Sequence, residues 1–236
     1  MENKFIFDVD GTLTPSRQGM NGRFQDYFLD FCYGNYVYLV TGSDREKTLE
    51  QVGPDVLDAV KRCYNCNGND VWEQGVNIRT NDWILPETAQ EWLSEQLSAS
   101  AFTLRTGLHF EHRPGMCNFS IVGRNADKVE RAKYVTWDTE YNERDLIAHN
   151  FNLIFTDLEA KVGGETGIDI SAKGLDKSQI IKDFDPEDVL YFFGDAMHPG
   201  GNDEPLMKKV HHHRHVRDWR NTWEFLTWFQ EQGIAA

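Results

Sequence analysis

The chain is short of cations, short of cysteine and without a long apolar run, and each shortage removes a class of function. Among 236 residues, Lys and Arg number 24 against 38 Asp and Glu, a formal charge of −14. Non-specific nucleic-acid binding needs a basic footprint, which this composition does not supply. Cations gathered at one place could still receive a phosphorylated substrate. No stretch approaches the ~18 apolar residues of a membrane-spanning helix. The first residues enter a strand directly, without the pattern of a secretory leader. These absences predict a cytoplasmic protein with neither membrane nor nucleic acid among its partners. Four cysteines (Cys32, Cys63, Cys66 and Cys117) are too few for a disulfide scaffold at this length. Cys63-Tyr64-Asn65-Cys66 has the spacing of half a zinc site. No second such pair and no Cys-x-x-His accompanies it, so ordinary reduced thiols are the better reading. His211-His212-His213-Arg214-His215 reads as a solvated strand or loop. What is present, 40% hydrophobic and 26% charged residues, suits a globular protein with one large domain, or a core with a smaller insert.

One stretch organises the rest. Phe5-Ile6-Phe7-Asp8-Val9-Asp10-Gly11-Thr12 reads as a short buried strand that stops at two carboxylates, followed by a glycine that permits a sharp turn. Asp8 and Asp10 would project from the carboxyl end of that strand, the edge at which open α/β sheets bind ligands. Two carboxylates this close repel unless a cation or a shared proton relieves them. Oxygen ligands alone favour a hard metal such as Mg²⁺. The plainer alternative is an Asp pair that caps a turn.

Along the chain, helical spacing from Phe24 to Cys32 is followed by a strand at 36–40. Ser43 and Glu46 form a capping-box pattern for a helix to about Val52, Gly53-Pro54 breaks it, and a second helix covers 55–62. This order of strands and helices indicates a parallel sheet. Its character changes after about Asn81. A helix from Pro86 to Leu97, a hairpin of 103–111 and 116–122, one long helix over 126–150, and strands at 153–156 and 166–170 form an α+β unit. The core pattern then returns with a helix over 175–184, a buried strand at 189–193 ending in Gly194-Asp195, and a C-terminal helix over 221–232. The expected plan is α/β: a core of 1–80 and 172–236 around a parallel sheet, with an inserted cap of 81–171.

Phe7-Asp8-Val9-Asp10-Gly11-Thr12-Leu13-Thr14 resembles the first motif of the haloacid dehalogenase (HAD) superfamily of phosphoryl-transfer enzymes. That resemblance implies a Rossmannoid core in which Asp8 becomes an aspartyl-phosphate. It makes Asp10 the general acid/base, with its backbone carbonyl on Mg²⁺. Ser43, Lys177 and Asp195 fall where the remaining motifs lie. Ser43 could hold phosphoryl oxygens or merely cap its helix. Lys177 could balance charge at the nucleophile or be an ordinary surface lysine. Asp195 would complete the metal set of Asp8, Asp10 and Asp195.

The loop from Gly194 to Asp203 and the segment 10–18 narrow the resemblance to the eukaryotic-type phosphomannomutases. It extends over essentially the whole chain. It implies phosphate-binding arginines at Arg17, Arg113, Arg124 and Arg131, with Asn118 and Asp169 in the sugar-binding segments. Guanidinium forks suit such a role, holding the phosphate that is not reacting. It further implies Mg²⁺-dependent interconversion of mannose 6-phosphate and mannose 1-phosphate, hexose 1,6-bisphosphate as activator, and a homodimer through the cap. The alternative is a HAD sugar-phosphate phosphatase, and preference between mannose and glucose phosphates stays open. Four departures stand out. Gly167 replaces the serine that the family commonly has two residues before the sugar-binding Asp. Glu165-Thr166 and the histidine run at 211–215 also differ. Leu206-Met207-Lys208-Lys209 lacks the acidic residue of a second cation loop, so one metal is expected.

Overall fold

The computed structural model describes residues 2–15 and 18–236. In chain order its elements begin with β1 (Asn3–Phe7), α1 (Gly22–Gly34), β2 (Tyr36–Val40), α2 (Arg45–Ala59), β3 (Arg62–Asn65), β4 (Asp70–Glu73) and β5 (Val76–Thr80). There follow α3 (Glu87–Ala99), β6 (Phe110–Arg113), β7 (Met116–Phe119), α4 (Lys128–Tyr141), α5 (Glu143–Ile154), β8 (Leu158–Gly163) and β9 (Gly167–Ala172). The chain closes with a tight 3-10 segment (Lys177–Asp183), β10 (Val189–Gly194), α6 (Glu204–Met207), β11 (His212–His215) and α7 (Trp219–Glu231). It divides into two compact units: Met1–Asn81 with Gly174–Ala236, and the insert Asp82–Lys173. No helix among the described residues is long and apolar enough to cross a membrane.

The core unit is built on a seven-stranded sheet in the order β11-β10-β1-β2-β3-β4-β5. β1 is buried on both faces. Phe5 and Phe7 point into one layer with Phe28, Phe31 and Phe229, and Ile6 points into the other with Ile180 and Leu206. The Phe7 and Phe28 rings meet edge to face at 5.2 Å. Burying a side chain of this size stabilises the fold by roughly 1.5–3 kcal/mol, which explains why the strand reads as an unbroken apolar run. The five strands from β11 to β3 are mutually parallel. From β1 the chain moves outward through β2 and β3, then returns to place β10 on the other side of β1. The switch point therefore lies between β1 and β10, where the carboxyl ends of the strands open a crevice.

Several local expectations need correction. Asp44, not Ser43, caps α2, accepting the Lys47 amide at 2.9 Å. The helix expected over 55–62 ends at Ala59, and Arg62–Asn65 is instead strand β3, parallel to β2. Four residues are too few to carry a period. β4 and β5, not expected at all, extend the sheet as an antiparallel ribbon whose turn places Gln74 and Gly75 at φ of 47° and 76°. In place of the α-helix expected over 175–184 there is a 3-10 segment over Lys177–Asp183.

In the insert, a four-stranded antiparallel sheet (β6-β7-β9-β8) packs one face on α3, α4 and α5, through Cys117, Phe119, Ile168 and Ile170 against Leu93, Tyr134 and Phe151. The long helix expected here is two, because Asn142 adopts the left-handed conformation (φ 51°) between them. Leu153 and Ile154 belong to α5, and the strand begins at Leu158; short apolar runs fit either element. The hairpin's first ladder starts at Phe110, because residues 103–109 make only scattered bonds to 120–124.

Candidate active site

The parallel pairing of β1 with β10 sets Phe7 beside Phe193, and the Asp8 amide donates to the Phe193 carbonyl at 2.9 Å. Asp8 and Asp195, which follow these two strands, are thereby brought to one sheet edge. Two glycines make room. Gly11 has φ +80°, and a Cβ there would overlap the Asp195 carboxylate. A Cβ at Gly194 would overlap that of Asp203. Lys177, at the start of the 3-10 segment, is fully buried and donates to Asp8 Oδ1 at 2.5 Å and to Asp203 Oδ1 at 2.7 Å. Asp203 Oδ2 accepts the Ala196 amide at 3.0 Å.

Three carboxylates thus face one ammonium. Burial pushes the Asp8 carboxyl up to about 7, against the pull of Lys177 and with the repulsion of Asp203. Asp195 is raised by burial and by Asp203. Burial alone would lower Lys177, but Asp203 and Asp8 outweigh it and hold its pKa above the ordinary value. Such a set favours a bound cation. Asp8, Asp195 and Asp203 offer oxygens all within 4.8 Å of one another, and Asp8 Oδ2 is buried without a hydrogen-bond partner among the described residues. Oxygen donors, excess negative charge and an unmatched inner oxygen fit a hard divalent ion. Both Asp203 oxygens are already engaged, so Asp8 and Asp195 are the better direct ligands.

Asp10 faces a different group. Its Oδ2 accepts from Ser43 Oγ at 3.2 Å and from Lys47 Nζ at 3.3 Å, and its Oδ1 accepts from Gln51 Nε2 at 2.9 Å. Lys47 also reaches Ser43 Oγ at 2.9 Å. Lys47 and Gln51 share one face of α2 and Ser43 stands just before its cap, which is how one helix start collects three donors for one carboxylate. Lys47, Gln51 and Asp203 have no role in the sequence motifs. Helical spacing from Ser43 could have found the first two, and the quoted loop contains the third.

The insert carries a second polar group, on the sheet face opposite its helices. Glu111, Asn118 and Asp169 are cross-strand neighbours along β6, β7 and β9. Glu111 Oε1 accepts from Arg113 Nε and Nη2 at 3.0 and 2.8 Å, and Glu111 Oε2 accepts from Arg124 Nε. Burial would raise the Glu111 pKa, but Arg113 and Arg124 hold it below the usual carboxylate range. Arg131 sits apart from this pair, on Glu165. Asn118 Nδ2 donates to Asp169 Oδ1 at 2.5 Å, and its carboxamide occupies the space that a Cβ at Gly167 would need. Arg17 lies outside the described residues. Glu111 and Glu165, the counter-charges of the expected arginines, carry no signal in the motifs.

The sequence family described as eukaryotic phosphomannomutase matches residues 25–220. The phosphomannomutase of Saccharomyces cerevisiae is 31% identical over 218 residues, which span 86% of this chain and 84% of that protein. The phosphomannomutase of Encephalitozoon cuniculi is 31% identical over 220 residues, 88% of this chain and 86% of that one. Among solved structures, a haloacid dehalogenase-like hydrolase from Bacteroides thetaiotaomicron superposes with a TM-score of 0.60 at 12% identity, covering 96% of this chain and 99% of that one. This last likeness is one of fold.

Proposed function

This chain belongs to the eukaryotic phosphomannomutase family, and from that membership we propose that it interconverts mannose 6-phosphate and mannose 1-phosphate through a phosphorylated Asp8. One observation carries the chemistry: a buried carboxylate, Asp8, held on one oxygen by Lys177 and unmatched on the other. Mg²⁺, held by Asp8 and Asp195 and, as the family implies, the Asp10 carbonyl, would neutralise phosphoryl oxygens and keep Asp8 ionised.

The residues divide the work. Asp8 attacks phosphorus of a hexose 1,6-bisphosphate, and the bond to the sugar oxygen breaks. Asp10 gives that oxygen its proton; Ser43, Lys47 and Gln51 fix the orientation of its carboxyl group. Phospho-Asp8 then passes its phosphoryl group to the free hydroxyl of a hexose monophosphate, whose proton Asp10 takes, and a bisphosphate is formed. Lys177 stays charged throughout and offsets Asp8 and Asp203. Arg113, Arg124 and Arg131, with Arg17, serve as ligands for the phosphate that is not reacting, and Asn118 and Asp169 for the sugar. That bisphosphate turns end for end before its other phosphoryl group moves back to Asp8. The same reading includes a cytoplasmic setting, suited to four buried free thiols. It also includes a homodimer through the insert, where Leu153 and Ile154 offer exposed apolar surface; a monomeric mass in solution would remove the dimer.

The test supplies mannose 1-phosphate, Mg²⁺ and a trace of hexose 1,6-bisphosphate, and follows mannose 6-phosphate and free phosphate together. Activator-dependent isomerisation with little free phosphate is expected. Prompt phosphate release without isomerised sugar would make the enzyme a sugar-phosphate phosphatase instead.

A further inference from the structure

Two carboxylates hold three of the insert's arginines, and they are built differently. Glu111 is part of β6 and spends both oxygens on Arg113 and Arg124. Glu165 stands on the turn between β8 and β9, its side chain 62% exposed, and sets a single oxygen 3.2 and 2.9 Å from Nε and Nη2 of Arg131. The backbone beneath it is pinned on both sides. Arg144, held by Asp138 at 2.7 Å, donates to the carbonyls of Gly164 at 3.0 Å and Gly167 at 3.3 Å. Ser120 Oγ donates to the Thr166 carbonyl at 2.9 Å. Release of Arg131 can therefore proceed by rotation of the Glu165 side chain, with the turn left in place.

An anion reaching Arg131 meets a carboxylate already there. A phosphate dianion outcompetes it, with more charge and more acceptor oxygens in the fork geometry that guanidinium prefers. The displaced carboxylate stays tethered nearby, where it repels the newcomer and waits to take the guanidinium back. We infer that Glu165 is a specificity-determining residue, a tethered competitor that weakens phosphate capture at Arg131 and eases its release. The inference rests on the reading of Arg131 as a phosphate ligand. In the proposed reaction that ease matters, because the bisphosphate must let go of this group before it can turn round.

The experiment is steady-state kinetics on the full chain with mannose 1-phosphate, Mg²⁺ and saturating hexose 1,6-bisphosphate, for Glu165→Gln, Glu165→Asp, Arg131→Gln and the double variant Arg131→Gln/Glu165→Gln. Glu165→Gln keeps the shape and loses the charge. Its KM should fall about fivefold, the scale of a partly exposed ion pair, with no rise in kcat. Glu165→Asp, which keeps a competing charge, should return KM toward the parent value. The double variant should match Arg131→Gln. An unchanged or raised KM in Glu165→Gln, with Arg131→Gln impaired, overturns the inference alone. An unchanged KM in Arg131→Gln overturns the phosphate-ligand reading beneath it. Should Glu165→Gln not fold, Glu165→Ala decides by the same direction of KM.

Discussion

The core and the insert treat charge in opposite ways. In the core, three carboxylates crowd one ammonium that is wholly buried. In the insert, three guanidinium groups, each about a quarter exposed, are shared between two carboxylates. The first group has excess negative charge in a dry, fixed setting, where each interaction is strong and each unmatched charge costly. It suits a cation and the making and breaking of bonds to phosphorus. In the second, the guanidinium groups outnumber the two carboxylates they pair with, and enough water reaches them that the ion pairs are individually weak. It suits exchange of one anion for another. Burial, more than the number of charges, separates the group fit for chemistry from the group fit for holding.

The comparison breaks first at Asp8. Asp8→Asn should lower turnover by about 10⁴-fold or more, the scale seen when a nucleophile is lost, with circular dichroism unchanged; near-normal activity would remove the core from the chemistry. Next comes stability. Lys177→Met leaves buried carboxylates without their cation and should cost about 3–5 kcal/mol in urea unfolding. Arg131→Gln, at an exposed pair, should cost under about 1 kcal/mol. Equal losses at the two positions would erase the distinction drawn from burial.

A pH series sharpens it. Because burial raises the Asp8 carboxyl to about 7 from its ordinary value of 3.8, the folded protein without bound metal keeps this proton where the unfolded chain has released it. The unfolded state then binds fewer protons, so the stability contribution of Asp8 falls as pH rises between those values, by at most about 1.4 kcal/mol per pH unit. Above both values it is flat. Unfolding in chelator across pH 4–8 should show this falling contribution as a difference between the parent and Asp8→Asn; a parallel pair of curves would contradict it. A further small effect belongs to the insert. Gly167→Ser sets a Cβ against the Asn118 carboxamide, and should cost about 1 kcal/mol. The cost should largely vanish in the Asn118→Ala background, because the two positions share one space.

The parts of this arrangement that were legible in the sequence are those written locally. Phe5-Ile6-Phe7 is apolar without alternation because β1 is buried on both faces, and Asp8 and Asp195 each follow such a strand directly. Where a feature depends on what another segment supplies, the sequence is silent. β4 and β5 pair with each other across a two-residue turn while Val76 and Ile78 stay exposed, so no apolar face announces them. Ser43 and Asp44 are both competent caps, and the choice between them follows from Asp10 drawing the serine hydroxyl away. Asp203 earns its place only through Lys177, 26 residues earlier. Likewise, that a serine at 167 would meet Asn118 depends on strand register, and no spacing within either segment reports it.

The most direct measurement is of the covalent bond itself. The enzyme would be mixed with Mg²⁺ and ³²P-labelled hexose 1,6-bisphosphate, quenched, reduced with borohydride to convert an acyl phosphate into a stable alcohol, and mapped by mass spectrometry. The expected result is reduction at residue 8 in the parent and in Arg131→Gln, the latter at higher bisphosphate concentration, and none in Asp8→Asn. Reduction at another carboxylate, or full isomerase turnover with no acyl phosphate at Asp8, would contradict the assignment of chemistry to the buried core.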